Sequence, residues 1–252
     1  MTISSRFKEL QRELGISDLA ATFADMSSMI ASGSNTVDVF ALLTQRIVEL
    51  LPVRASGILL VDANSLLQVV GSSDHSAHQL DLYQLQNHSG PCLTACATGE
   101  LVTDTELSAN GPWPSFSALA REHHFSSVYA LPLSGRKQVL GALNLFCDQP
   151  LSDRELTLAR VLADSAAVAL LQADPRNDAV VIARNTQSSI QSRNVIEQAK
   201  GVLSQRYSID MNEAFRRIQT VAGAENIGIV ELATHIAERT ISDSVVRALN
   251  NA

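Results

Sequence analysis

The chain has 252 residues, 46% of them apolar and 18% charged, and a formal net charge of −7. Such a length builds one large or two ordinary globular domains; no stretch is long and charge-free enough to span a membrane, and an acidic total excludes a bulk basic footprint for nucleic acid. The N-terminus shows no basic-then-apolar leader and the only cysteines are Cys92, Cys96 and Cys147, so no disulfide framework is expected and the cytoplasm is the default compartment.

In chain order, residues 3–31 read as a helix with an apolar stripe from Leu10 to Ile30. Ser32-Gly33-Ser34 breaks it, and Asn35-Thr36 cap an amphipathic helix through Phe40, Leu43, Ile47 and Leu50–Leu51. The period then changes. Ala55–Val61 and Leu66–Gly71 read as strands around a polar turn, 74–89 as helix and loop, and Gly90–Cys96 as a short helix with Pro91 near its first turn and Gly99 at its end. A strand at Leu101–Thr103 and a loop and helix over 112–124 come next. Phe125–Leu133 and Val139–Phe146 pair as strands, and Ser152-Asp153 caps a helix with a stripe from Leu156 to Leu171. This is an α+β layout, helices packed on one antiparallel sheet.

After Asp174-Pro175, a cap and first helical residue, one helix is expected to run to about Arg206. Ile182, Ser189, Ile196 and Leu203 fall seven apart, a short and polar-diluted coiled-coil seam, or else one face of a long surface helix. Within it, Gly201 costs roughly 1 kcal/mol relative to alanine. Its gain is either close packing of a neighbouring helix or close approach of a partner beside Lys200. A second helix follows Asp210, with Glu213 at capping-box spacing and an apolar face of Met211, Ala214, Phe215, Ile218 and Val221–Ala222, stopping around Gly223. A third, from about Gly228 to Thr240, buries Ile229, Leu232, Ala233 and Ile236.

Charge is unevenly divided: from Arg176 onward nine Lys/Arg face eight Asp/Glu, against ten and eighteen before it. A nucleic-acid site must then be a local patch, with Arg193, Lys200, Arg206, Arg216 and Arg217 as candidates; at least one of Arg216 and Arg217 reads as a solvated charge.

The three C-terminal helices resemble the ANTAR domain, the RNA-binding module of transcription antitermination regulators. Arg193, Ile196, Gln198-Ala199-Lys200-Gly201, Leu203 and Arg206 carry the resemblance, with Glu213-Ala214-Phe215, Ala222, Asn226, Ala233 and Ile236, over about residues 184–241. The chain departs from the family's pattern at Ser204, usually Met; at Ile218-Gln219, where the family has an L-R pair; and at Ile227-Gly228, where it tends to be basic. The preceding part resembles a GAF domain over about residues 17–172, through G-P-C at Gly90–Cys92, T-G-E-L-V at Thr98–Val102, L-P-L at Leu131–Leu133 and G-A-L-N-L at Gly141–Leu145. GAF domains are sensory modules with a small-molecule pocket over the sheet, and many serve in dimerisation.

The resemblances imply a GAF-like domain over 1–172, a helical linker over 173–191 and an ANTAR-like domain over 192–252. They imply a cytoplasmic homodimer that binds stem-loop RNA in nascent transcripts, with Arg193, Lys200 and Arg206 on phosphates, Gly201 admitting backbone approach, Tyr207 placed to stack on a base, and Arg216 within the patch. The alternative is a dimeric ligand-sensing or protein-interaction module in which Gln219 and Gly228 have cost RNA binding.

No Ser/His/Asp set, phosphate-cradling glycine loop or carboxylate pair has enzyme-like spacing, so no catalytic residue is assigned. Cys92 and Cys96 face one way on a short helix near His88, which falls short of a metal set; buried thiols are favoured, with cysteine redox catalysis the competing reading. No metal or cofactor is expected, and the GAF ligand is left unnamed. His123-His124 suit a helix C-terminus, and Trp113 either covers a pocket mouth or fills a gap under a loop.

Overall fold

The computed structural model describes residues 16–32, 36–62, 65–135, 138–172, 178–225 and 227–241, with 245, 248 and 249. Two helices open the described chain, α1 (Ile16–Ala31) and α2 (Thr36–Leu50), followed by β1 (Ala55–Val61) and β2 (Leu67–Ser72). Next come α3 (His75–Asn87), α4 (Pro91–Thr98), β3 (Val102–Asp104) and α5 (Pro114–Glu122). A pair of strands, β4 (Ser127–Gly135) and β5 (Gln138–Cys147), leads into α6 (Asp153–Gln172), and three helices follow: α7 (Asp178–Tyr207), α8 (Met211–Glu225) and α9 (Ile229–Ala237).

The five strands form one antiparallel sheet in the order β2-β1-β5-β4-β3. Alternation along β1 and β5 decides what each face holds. Ile58, Leu60, Leu143, Leu145 and Cys147 point into a core with Phe40, Leu43 and Ile47 of α2 and Ala159, Leu162 and Ala166 of α6. Leu59, Ala142 and Phe146 point the other way, toward α3, α4 and α5. The glycine at 141 is dictated by packing: a Cβ there would stand 1.9 Å from the Leu59 carbonyl oxygen.

The expected helix and strand order is observed, and the caps explain the ends. Ala77 N–H donates to Asp74 Oδ1 (2.8 Å) at the start of α3. Before α6, Ser152 N–H and its hydroxyl both donate to Glu155 Oε2 at 2.7 Å, and Glu155 N–H returns to Ser152 Oγ at 3.4 Å, a reciprocal capping box. Gly99 ends α4 in the left-handed region at φ 71°. His124 also has a positive φ after α5, and Trp113 packs, partly buried, against the cluster that holds Phe116 and Phe125. The second C-terminal helix departs from expectation by running through Gly223 to Glu225. Gly223 is exposed, and the end is set further on, where Ile227 N–H donates to the Ala222 carbonyl (3.1 Å). The expected caps at Asn35 and Asp174-Pro175, the stretch 3–15 and Asn226 lie outside the described residues.

Candidate nucleic-acid interface

The three-helix bundle has its own core. Ile196, Ala199 and Leu203 of α7 meet Ala214, Phe215, Ile218 and Ala222 of α8 and Leu232, Ala233 and Ile236 of α9. Asp210 caps α8 by accepting from Glu213 N–H (2.8 Å). Glu213 does not complete a capping box, because its carboxylate pairs with Arg216 and with Arg217 Nε (2.7 Å). Ser204, where the family usually has Met, donates its hydroxyl to the Ile209 carbonyl (2.6 Å) and closes the turn between α7 and α8.

The candidate residues are placed very differently. Arg206 is exposed, its guanidinium 5.7 Å from the centre of the Tyr207 ring; Arg217 lies 5.9 Å from the same ring. Two guanidinium groups thus lie within 6 Å of the Tyr207 ring centre, and its hydroxyl, buried, has no hydrogen-bond partner among the described residues. Arg216 is exposed beside Glu213. Arg193 lies on α7, but its side chain is outside the described ones. Gly201 is exposed, and a Cβ there would meet no described atom within 4 Å. Among the described residues, no neighbouring helix packs closely on this glycine.

Lys200 is the surprise, with 1% of its surface exposed. Its ammonium donates to both Glu197 oxygens, at 3.0 and 2.8 Å, and lies 5.6 Å from the Phe215 ring. Glu197 Oε1 in turn is 3.8 Å from Nε2 of His78 on α3. Beside it His75 has its ring pKa lowered, first by burial and next by the Lys200 charge. The side chain expected to meet phosphate therefore faces the sheet-containing domain in this arrangement.

That contact combines apolar packing with a few polar bonds. Val37, at the start of α2, is buried in the bundle's core. Next to it, Asp38 accepts from Val230 N–H (3.3 Å) at the first turn of α9. Burial pushes the Asp38 carboxyl above the usual range, the Val230 and Ile229 amides opposing it. His75 N–H donates to Asn212 Oδ1, and Gln219 Nε2 to Gln45 Oε1 at 3.4 Å. The helix α7 also packs against β2, the edge strand. Two clefts flank the Gln45–Gln219 contact, one of about 720 Å³ bordered by Asp25, Asp38 and Gly228, the other of about 490 Å³ bordered by Arg54, Asp74 and Arg216. Sequence reasoning missed Val37 and Asp38. Val37 stands three before Phe40 and so extends the stripe of α2, but a stripe does not say which domain it meets.

On the far face of the sheet, Asp81 of α3 is fully buried and its Oδ1 accepts from Asn144 Nδ2 (2.7 Å). Gly57, the β1 register partner of Asn144, leaves room for it: a Cβ would stand 1.8 Å from Asp81 Oδ2. Gln84 Oε1 accepts from Cys92 N–H (2.9 Å), while its buried Nε2 has no partner among the described residues. The Cys92 thiol is pushed well up, first by its hydrogen bond with Cys96 and then by burial, and burial pushes Cys147 up to about 12. Both are held as thiols, the unreactive form. Among the described residues no three His, Cys, Asp or Glu side chains group as metal ligands, and no helix is long and apolar enough to cross a membrane.

Three solved structures are similar to this chain. The GAF domain of a phosphoenolpyruvate-protein phosphotransferase from Coxiella burnetii is 14% identical, covers 61% of this chain and 92% of its own, and has a TM-score of 0.48. That from Acinetobacter is 17% identical, with 60% and 91% covered and a TM-score of 0.45. The GAF domain/HD domain protein of Geobacter sulfurreducens is 21% identical, with 56% and 94% covered and a TM-score of 0.47. Similarity at this level says nothing of ligand or partner. No curated protein matches the chain. The GAF domain family matches residues 34–171 and the ANTAR domain family residues 184–236. Both are regulatory and neither is a catalytic family. A five-stranded sheet between helical layers, continued by a three-helix bundle, agrees with that order, and the chain belongs to the GAF family as a GAF–ANTAR protein.

Proposed function

We propose that this protein is a cytoplasmic, homodimeric transcription antitermination regulator. Its ANTAR bundle binds stem-loop RNA in nascent transcripts under control of the GAF domain, with units near 1–172, 173–191 and 192–252. The observation that carries the reading is Gly201. A helix-interior glycine costs roughly 1 kcal/mol, and no described neighbour requires it. What it leaves open is the backbone itself, on the helix that also carries Lys200 and the exposed Arg206. Arg193, Lys200, Arg206 and Arg216 supply phosphate contacts, which give affinity and salt dependence but little sequence choice. Tyr207, half-buried beside two guanidinium groups, supports the patch more than it offers a free ring for stacking.

Dimerisation is supported by a groove of about 360 Å³ between α1 and α6, bordered by Phe23, Met26, Ile30, Val161 and Val168. Val161 and Val168 are 38% and 50% exposed there, an apolar strip that a second copy would cover.

The test is binding to a tandem pair of short RNA hairpins against a scrambled duplex across a salt series, with Gly201→Leu alongside. Selective binding that weakens with salt is expected. The variant should stabilise the fold by about 1 kcal/mol, leucine being close to alanine as a helix former, and yet lose affinity. Absence of selective binding, at low salt and in the released form described below, would leave the ligand-sensing or protein-interaction module as the reading.

A further inference from the structure

We propose that the GAF domain clamps the ANTAR bundle in a closed form that hides Lys200, and that RNA is bound only after the two domains part. The inference rests on the RNA-binding reading for its consequence, but not for its geometry.

Three observations support a releasable clamp. First, the GAF side holds the bundle at the starts of α2 and α3, through Val37, Asp38 and the His75 backbone. Second, Asp38 stands at the N-terminus of α9, where unpaired amides and the helix dipole favour an anion. A carboxylate thus occupies a position chemically fit for phosphate, and Gly228, whose Cβ would stand 3.1 Å from Asp38 Oδ2, lets it approach. The two places where the chain lacks the family's basic residues, Gln219 and Gly228, are the two that face Gln45 and Asp38. An arginine or lysine there would crowd this contact. Third, clefts of about 720 and 490 Å³ flank the Gln45–Gln219 part of the contact, so packing is interrupted there.

Lys200 is where closure is felt. Buried at 1% exposure, it is satisfied by Glu197 and Phe215 and lies beside His75, with no face left for an outside phosphate.

The experiment uses the full chain and two GAF-side variants, Val37→Glu and Asp38→Lys, neither in the RNA patch. Lysine methylation at Lys200 is followed by peptide mass spectrometry against the denatured chain, and binding to the tandem hairpin RNA is measured in parallel. Lys200 should be protected in the parent and modified in the variants, with RNA bound about tenfold tighter as the competent fraction rises. Should Val37→Glu lose cooperative unfolding, Asp38→Lys, at a half-buried surface position, carries the test. Equal modification of Lys200 in parent and variants overturns the clamp. So does exposure of Lys200 with RNA bound at unchanged affinity. Exposure of Lys200 with no RNA bound by any form upholds the clamp and overturns the RNA reading instead.

Discussion

At the scale of single residues, the least expendable contacts lie under α3, where a carboxyl group is set directly on the sheet. Asp81, Asn144 and Gly57 form a unit: the amide donates to Oδ1, and the glycine leaves the space that Oδ2 fills. Removing the amide leaves a fully buried carboxyl short of a donor. Asn144→Ala should therefore cost about 1–3 kcal/mol, the penalty of a buried polar group losing its partner, read as a lower midpoint in urea unfolding at unchanged slope. An unchanged midpoint would mean that other groups satisfy Asp81. None of this was legible in the sequence. The G-A-L-N-L motif identified β5, but nothing nearby named a carboxyl 63 positions earlier as the partner of Asn144. The ANTAR residues fared unevenly for a related reason. Periodicity set Ile196 and Leu203 on one seam, expected in a coiled coil or on a surface helix, and the structure buries both with Ala199 in the bundle itself. By contrast Lys200, one step past Ala199, was expected at phosphate and is buried. Its aliphatic stem and paired head allow burial, and a second domain lies over that side of the helix.

At the scale of elements, local chemistry was the more reliable guide. Ser152 was readable as a cap from its position before the Leu156–Leu171 stripe, and the reciprocal bonds with Glu155 are those the spacing requires. The Ser152 bonds hold the Glu155 carboxyl below its usual pKa. A carboxyl whose folded pKa is depressed stabilises above its unfolded value of 4.5 and loses that contribution as pH falls through the folded one. Ser152→Ala should thus lower stability at neutral pH by about 1 kcal/mol, within the range for lost caps, and the difference from the parent should narrow in thermal melts below pH 4.5. A constant difference across pH would assign the effect to the hydroxyl alone. Gly223 shows the opposite case. Glycine signals a helix end only when the chain turns left-handed there; at 223 the helix continues, and the end falls at a backbone bond that no residue type announces.

At the scale of the molecule, the order of the two domains was written in the motifs, but their contact was not, because it depends on surfaces that each domain presents only once folded. That contact is expected to respond to acid. His75 belongs to α3 and has Asp74 beside it; from α7, Lys200 and Glu197 face it, and His123 lies at the end of α5. Burial and the Lys200 charge lower its pKa, outweighing Glu197 and Asp74, and its Nδ1 has no partner among the described residues. A histidine with a lowered folded pKa is held neutral, so the released form binds the proton more readily. The closed form is then fully favoured above the ordinary value of 6.5 and loses ground as pH falls from there toward the folded pKa. Amide exchange in 196–207, corrected for its intrinsic pH dependence, should accelerate between pH 7 and 5.5 in the parent and much less in His75→Asn, which keeps the backbone donor to Asn212. Equal acceleration in both would remove His75 from the account. Asp38 and Asp74, raised by burial, act with the opposite sign: their raised pKa values disfavour the closed form once they ionise, so acid favours it through them. Acid loosening of the closed form is therefore a histidine property, and the same protonation that repels Lys200 is the one that would free it for phosphate.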